Sequence, residues 1–245
     1  MYLKSLPKLA VAFSGGVDSA YLLYAAKKHC PQTRAYYVKT PFQPEFELSD
    51  ARRLCRELDV PLTVVETDVL RNGALAANGE NRCYLCKKQM LTALMASAEK
   101  DGFSLMADGT NASDREDNRP GMMALKELGV VSPLRLCGLT KEEIRRRSRE
   151  AGLFTADKPA YACLATRIAT GEEITEEKLA VTEAAETFLE ELGLREFRVR
   201  YRSGGALLQV TETDLPLAQA RWQEIEEALK KWYCAVALDQ EVRNG

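Results

Sequence analysis

The chain has 245 residues, 46% of them hydrophobic and 29% charged, with a formal net charge of −2. This balance suits a soluble globular protein with a sizeable core, excludes a chain dominated by disorder, and provides no global basic field to hold nucleic acid or an anionic membrane. Met1 to Pro7 is short and polar where a secretory signal would be apolar, and no apolar run approaches membrane-spanning length. With seven cysteines in a chain too long to need disulfide staples, these features point to a reducing cytoplasm.

Leu9 to Phe13 is a continuous apolar run and Ala20 to Ala26 reads as a helix, a first βα unit around a glycine loop. Arg34 to Val38 is strand-like, Glu45 to Leu58 helical, Leu62 to Val65 strand-like, and Leu91, Leu94, Met95 and Ala98 share one helical stripe. Phe103 to Ala107 predicts a fourth strand, Met122 to Leu128 a short helix, Val130 to Leu134 a fifth strand, and Lys141 to Ala151 a helix capped by Thr140. The alternation predicts an α/β fold, a doubly wound five-stranded parallel sheet over residues 1–152. Periodicity then fails, so residues 153–172 read as a linker and active-site loop carrying Cys163. Residues 173–245 read as a small α+β domain for substrate binding or oligomerisation, in αββαβ order. It has a helix capped by Thr175, strands around Phe197 to Tyr201 and Ala206 to Val210, a helix over Leu215 to Trp232 and a strand over Cys234 to Leu238.

Ser14-Gly15-Gly16-Val17-Asp18-Ser19 joins the first strand to the first helix, where unpaired N–H groups and the helix dipole favour an anion. The glycines let the backbone wrap closely, Ser19 can hydrogen-bond phosphate, and Asp18 can act through a bound Mg2+. The Gly-Lys-Ser/Thr ending of a Walker loop is absent, which argues against γ-phosphate hydrolysis or kinase chemistry, and no dinucleotide fingerprint is present. The bland alternative is a Gly-Gly turn whose Asp and Ser merely cap a helix. A second polar loop, Asp108-Gly109-Thr110-Asn111 with Asp114, Asp117 and Arg119-Pro120-Gly121, falls at the carboxyl edge where doubly wound sheets bind ligands. The nucleotide-binding candidates are therefore Ser14, Gly15, Gly16, Asp18, Ser19, Thr40, Gly109, Thr110 and Asn111. The bland alternative for the second loop is an Asx turn with solvated charges.

Cys83-Tyr84-Leu85-Cys86 places two thiols near a helix start, where the dipole would lower their pKa, and Cys163 lies in the loop between domains. Structural zinc wants four ligands and the single histidine, His29, sits in the first helix, so three cysteines better suit an iron–sulfur cluster with one open iron. A lone CxxC is also read as a redox pair or as two small hydrophobes. Cys30, Cys55, Cys137 and Cys234 read as packing residues.

The stretch SGGVDS resembles the signature of the PP-loop ATP pyrophosphatases, which include asparagine, GMP and NAD synthetases and tRNA-thiolating enzymes. The resemblance implies an adenine nucleotide alpha hydrolase-like fold, cleavage between the α and β phosphates, and an adenylated intermediate. Together with DGTNASDREDNRPG, Leu134 near GLTKEEIR, and KPAYACLATRI, it resembles the LarE family of ATP-dependent sulfur transferases over about residues 8 to 210. That resemblance implies a pyridinium-3,5-biscarboxylic acid mononucleotide as substrate, adenylated and then converted to a thiocarboxylate for a nickel-pincer cofactor. By position Cys163 matches the sulfur-delivering cysteine that becomes dehydroalanine in sacrificial members. With Cys83 and Cys86 it resembles the subgroup whose three cysteines hold a [4Fe-4S] cluster carrying an exogenous sulfide. The implied cofactors are ATP, Mg2+ and that cluster, with Cys163 and Asp18 catalytic, a sulfide donor as partner and a homo-oligomer as assembly.

Arg167, Arg198 and Arg200 are candidates to hold the substrate's phosphate and carboxylates, and their bland alternative is a solvated edge. Where the family pattern is RVRHHG and ARIEV, this chain has Tyr201 and Arg202, then Leu207, Leu208 and Gln209, so a carboxylate and an arginine are missing and the acceptor is open to a related acid. A tRNA-thiolating enzyme is the competing reading, weakened by the acidic balance and the lack of an RNA-binding appendage. A nucleotide-binding sensor without turnover is the third.

Overall fold

Parallel pairing organises the N-terminal half around β1 (Lys8–Ala12), a strand too apolar to face water on either side. The computed structural model describes residues 2–114 and 120–243. After β1 come α1 (Val17–His29), β2 (Gln32–Lys39), α2 (Glu45–Glu57), β3 (Leu62–Glu66), the single turn α3 (Gly73–Ala76), α4 (Arg82–Lys100), β4 (Met106–Ala107), α5 (Pro120–Glu127), the turn α6 (Pro133–Leu136) and α7 (Lys141–Glu150). The strands lie in the order β3-β2-β1-β4, all parallel. Side-chain alternation splits the core between the two faces. Leu9 and Val11 pack with α1, α2 and α7, whereas Ala10 packs with α4 and α5. The chain runs outward from β1 to β3 and then returns to β4 on the other side of β1, so the carboxyl ends of β1 and β4 flank a topological switch point.

Among the described residues the parallel sheet has four strands, where five were expected. Val131 forms one parallel bridge with Ala107, its N–H donating to Met106 O at 3.0 Å and its carbonyl accepting from Asp108 N at 2.9 Å. Pro133 then offers no N–H and starts the α6 turn, so the ladder stops. The fourth strand is likewise reduced to Met106 and Ala107.

The chain divides into two compact units, Met1–Val69 with Asn81–Tyr161, and Leu70–Glu80 with Ala162–Gly245. In the second unit, residues 70–80 are tied in by Gly171 N to Asn78 O (2.9 Å), Ile174 N to Ala76 O (2.7 Å) and Asn78 Nδ2 to Ala169 O (2.7 Å). Its other elements are α8 (Glu176–Glu191), β5 (Phe197–Arg202), β6 (Gly205–Val210), α9 (Leu215–Ala220), α10 (Trp222–Leu229) and β7 (Val236–Leu238). β5 and β6 form an antiparallel hairpin and β7 joins β6 in parallel, over a core of Leu189, Leu208, Ile225 and Leu229. The helix expected over Leu215 to Trp232 is broken at Arg221, which leaves helical geometry at φ −106, ψ 16. Among the described residues no helix is long and apolar enough to cross a membrane.

Candidate functional site

Two loops meet at the switch point. In the first, Gly15 adopts φ +75, a conformation that side chains resist, and a Cβ there would stand 3.2 Å from Glu47 O. Gly16 caps α1 without any side-chain hydrogen bond. Ser19 braces the turn, its Oγ accepting from Ser14 N at 3.2 Å and donating to Gly16 O at 3.1 Å, 3.0 Å from Ser14 Oγ. In the second loop Gly109 lies directly on the first turn of α1. A Cβ at Gly109 would fall 2.7 Å from Ser19 N and 3.0 Å from Ser19 Cα, so only glycine lets the loops touch. Asp108 anchors this loop, accepting from Thr110 Oγ1 at 2.5 Å and Ser132 Oγ at 2.6 Å. Asn111 is buried and its Oδ1 accepts from Ser113 N at 2.8 Å, so the Asx turn exists and shapes the loop. Thr40, past β2, turns inward onto Gln43 Oε1 at 2.7 Å. Asp117 and Arg119 lie outside the described residues.

The sequence reading missed the cations around these loops. Lys141, the first residue of α7, reaches Asp18 Oδ2 at 2.5 Å. Lys158 bonds Asp50 Oδ2 at 2.6 Å, 3.5 Å from Gly15 O, and Lys87 stands 3.8 Å from Asp108 Oδ2. Their partners are 123, 108 and 21 positions away along the chain, so no local spacing announces them. The other oxygen of Asp18, Oδ1, is buried without a hydrogen-bond partner. An acceptor-only oxygen at the mouth of an anion-binding turn fits a hard divalent cation such as Mg2+.

Cys83 and Cys86 occupy the first two turns of α4, Cys83 exposed and Cys86 half-buried. Arg82 Nη2 donates to Cys83 Sγ at 3.3 Å. Among the described residues no group of three His, Cys, Asp or Glu side chains is gathered to hold a metal ion, although thiolates are the donor type that an iron–sulfur cluster takes. Of the four cysteines assigned to packing, Cys30 and Cys55 are buried, and burial pushes the Cys55 thiol up to about 12. Cys137 and Cys234 are instead exposed, because each falls in a turn outside the regular elements.

Cys163 is half-buried and caps a short 3-10 turn, Leu164–Arg167. Arg167 is fully buried. Its fork meets Glu186 at 2.8 and 2.9 Å, and its remaining nitrogen donates to Ala162 O at 2.7 Å and Thr166 Oγ1 at 3.0 Å. Arg167 thus holds the backbone around Cys163, its fork meeting Glu186. Glu186 also accepts from Val199 N at 2.9 Å, which welds α8, β5 and the Cys163 turn together. Arg198 is buried and donates to Phe197 O. Arg200 donates to Thr166 O and to Gln209 Oε1, each at 2.7 Å, and Gln209 passes the contact on to Asp239 at 2.8 Å. Gln209 therefore serves Arg200 where the family pattern has a carboxylate. Burial, followed by the charges of Arg167, Arg202 and Arg243, depresses the Arg200 pKa, so this patch favours an anion.

An open groove of about 1250 Å³ lies at the opposite edge of the parallel sheet, lined by Lys27, Lys28, Arg52 and Arg56 near helix C-termini. Basic residues there complement the helix dipoles, and neither loop at the switch point contributes to the groove.

The model of the QueC family, described as queuosine biosynthesis protein QueC, matches residues 8–89, which include the first loop and the CxxC. The chain is 37% identical over 207 residues to the uncharacterized protein slr1717 of Synechocystis, covering 84% of this chain and 77% of that one. It is 31% identical over 225 residues to the uncharacterized protein MJ0830 of Methanocaldococcus jannaschii, covering 92% and 84%. It is 29% identical over 212 residues, 86% and 77% of the two chains, to the pyridinium-3,5-bisthiocarboxylic acid mononucleotide synthase of Lactiplantibacillus plantarum.

Proposed function

The chain belongs to the LarE-type family of PP-loop proteins, alongside slr1717 and MJ0830, and from that premise we propose that it is an ATP-dependent sulfur transferase. The observation that carries the reading is the paired loop, with Gly109 against Ser19 and the unpartnered Asp18 Oδ1 beside it. Backbone N–H groups of the Ser14 to Ser19 turn and the α1 dipole receive the phosphates of ATP. Mg2+ held by Asp18 would neutralise the departing pyrophosphate. A carboxylate oxygen of the substrate attacks the α-phosphorus, pyrophosphate leaves, and an acyl adenylate results. The ammonium group of Lys141 balances the charge that collects at the loop.

The acceptor in this proposal is a pyridinium-3,5-biscarboxylic acid mononucleotide or a related acid, whose phosphate meets the Arg198 and Arg200 patch. Its product is the thiocarboxylate. Cys83, Cys86 and Cys163 would hold a [4Fe-4S] cluster, which supplies a site for exogenous sulfide. We place the enzyme in the cytoplasm, as a homo-oligomer that engages no nucleic acid.

A second reading rests on Cys163 itself, half-buried at the cap of the Leu164–Arg167 turn. In it the Cys163 thiolate attacks the acyl carbon and AMP leaves. Removal of the Cys163 α-proton then breaks its Cβ–Sγ bond, the thiocarboxylate departs, and dehydroalanine remains. Anaerobic incubation with ATP, Mg2+, sulfide and the biscarboxylate mononucleotide, followed by mass spectrometry of product and protein, separates the readings. Thiocarboxylate with Cys163 intact, from a brown protein carrying about four irons per chain, is the expected result. Thiocarboxylate with hydrogen sulfide lost from position 163 establishes sacrifice instead. ATP left uncleaved with every acid tried refutes both.

A further inference from the structure

On one face of α7, Lys141, Arg145 and Arg149 recur at every fourth position, the first committed to the phosphate loop and the other two to the segment after the helix. Lys141 meets Asp18 of the phosphate loop. Arg145 donates to the carbonyls of Ala156 (2.7 Å) and Lys158 (2.9 Å), and Arg149 pairs with Asp157 (2.7 Å). The segment 154–161 is thus held, through two carbonyls and the Asp157 carboxylate, to the helix whose first residue meets the phosphate loop. Lys158 closes the circuit with its side chain. Its ammonium bonds Asp50 at 2.6 Å, stands 3.5 Å from the carbonyl of Gly15, and lies 5.2 Å from the centre of the Phe46 ring. Tyr161 packs edge-on against the same ring at 5.0 Å. A lysine side chain 16% exposed, at a carboxylate, an aromatic face and the turn that receives phosphate, has more partners than solubility requires. Cys163 follows two residues after Tyr161.

We propose that Lys158 is a positioning residue, which fixes the segment 154–161 on the wall of the phosphate loop and thereby sets the path of the chain into Cys163. It serves sulfur transfer and not adenylation, and in that respect rests on the function proposed above. Its ammonium acts through the segment, with Asp50 as fixed counter-ion and Arg145 holding the carbonyl of the same residue.

The test uses the full chain with Lys158→Met, Lys158→Arg and Asp50→Asn, and two readouts. The first is hydrogen exchange of the amides of 154–161 without any ligand. The second compares ATP–pyrophosphate exchange driven by the biscarboxylate mononucleotide with formation of thiocarboxylate. Lys158→Met and Asp50→Asn should both speed amide exchange in the segment and cut thiocarboxylate formation by about 100-fold, the order that misplacing a reacting group by about 1 Å costs. Pyrophosphate exchange should stay within about threefold of wild type, and Lys158→Arg should recover most of the loss. Equal losses in both half-reactions, or amide exchange unchanged from wild type, overturn the proposal. If the wild-type chain drives no pyrophosphate exchange, the sulfur-transferase reading fails. The amide-exchange readout then still decides whether Lys158 fixes the segment.

Discussion

The two units use cationic side chains in opposite ways. Around the phosphate loop a part-exposed cation, Lys141, meets a carboxylate that is itself part-exposed. Lys141 is 36% exposed against 23% for Asp18. In the second unit Arg167 and Glu186 are 0% and 7% exposed, and their fork is shared with the backbone around Cys163. Pairs that water can reach are cheap to break and can exchange partners when a charged ligand arrives. A buried bidentate pair leaves an uncompensated charge when cut and therefore stays closed. The first unit has charges that can respond to a nucleotide, and the second spends one to hold a thiol-bearing turn in a single shape.

The sharpest way to break this contrast is Arg167→Met. It strands Glu186 in the core and should lower stability by about 3–5 kcal/mol in denaturant titration, while Arg167→Met combined with Glu186→Gln should recover much of that loss. Lys141→Met should cost less than about 1 kcal/mol in the same assay, since its partner can be solvated. A loss at Lys141 as large as that at Arg167 would erase the distinction.

Gly109→Ala comes next. The added methyl strikes the backbone of Ser19, which cannot yield as the end of a side chain can. Adenylation should fall about 100-fold, or roughly 2.7 kcal/mol in the barrier, and the overpacking should lower stability by about 1–3 kcal/mol. Wild-type adenylation by this variant would separate the second loop from the nucleotide site.

The smallest effect concerns Cys55. Its thiol is raised from 9.0 to about 12 by burial, so the folded state holds this proton more tightly than the unfolded chain. The stability this contributes is complete below about pH 9 and is lost as pH climbs towards 12. Native iron-free protein treated with iodoacetamide at about pH 8 should be alkylated at the exposed Cys83, Cys137 and Cys234 and spared at Cys55, as read by peptide mass spectrometry. Alkylation of Cys55 in step with the exposed thiols would refute its burial.

Much of the parallel unit was legible because its signals are local. The apolar run before Ser14, the two glycines and the Thr140 cap, which accepts from Glu143 N, each act within a few residues. The Thr175 cap of α8 was legible for the same reason, accepting from Lys178 N. The length of β4 and the loss of the fifth strand were not, because a strand lasts only as long as its neighbour offers a ladder, and Pro133 ends that offer. The break at Arg221 was hidden by an apolar stripe that continues across it.

For the candidate site the division falls along the same line. Residue order alone determined that a glycine-rich turn meets a helix N-terminus, that Asp18 and Ser19 enter its first turn, and that three cysteines stand at fixed intervals, since all of this is backbone chemistry over short spans. Only the tertiary structure decided which charge meets which. Lys141 finds Asp18 across 123 positions, Lys158 finds Asp50 across 108, and Glu186 closes on Arg167 from another element. A guanidinium in a sequence is equally ready for a phosphate or a buried carboxylate, and the packing of α8 against the Cys163 turn brings Arg167 onto Glu186 and removes water from around the pair.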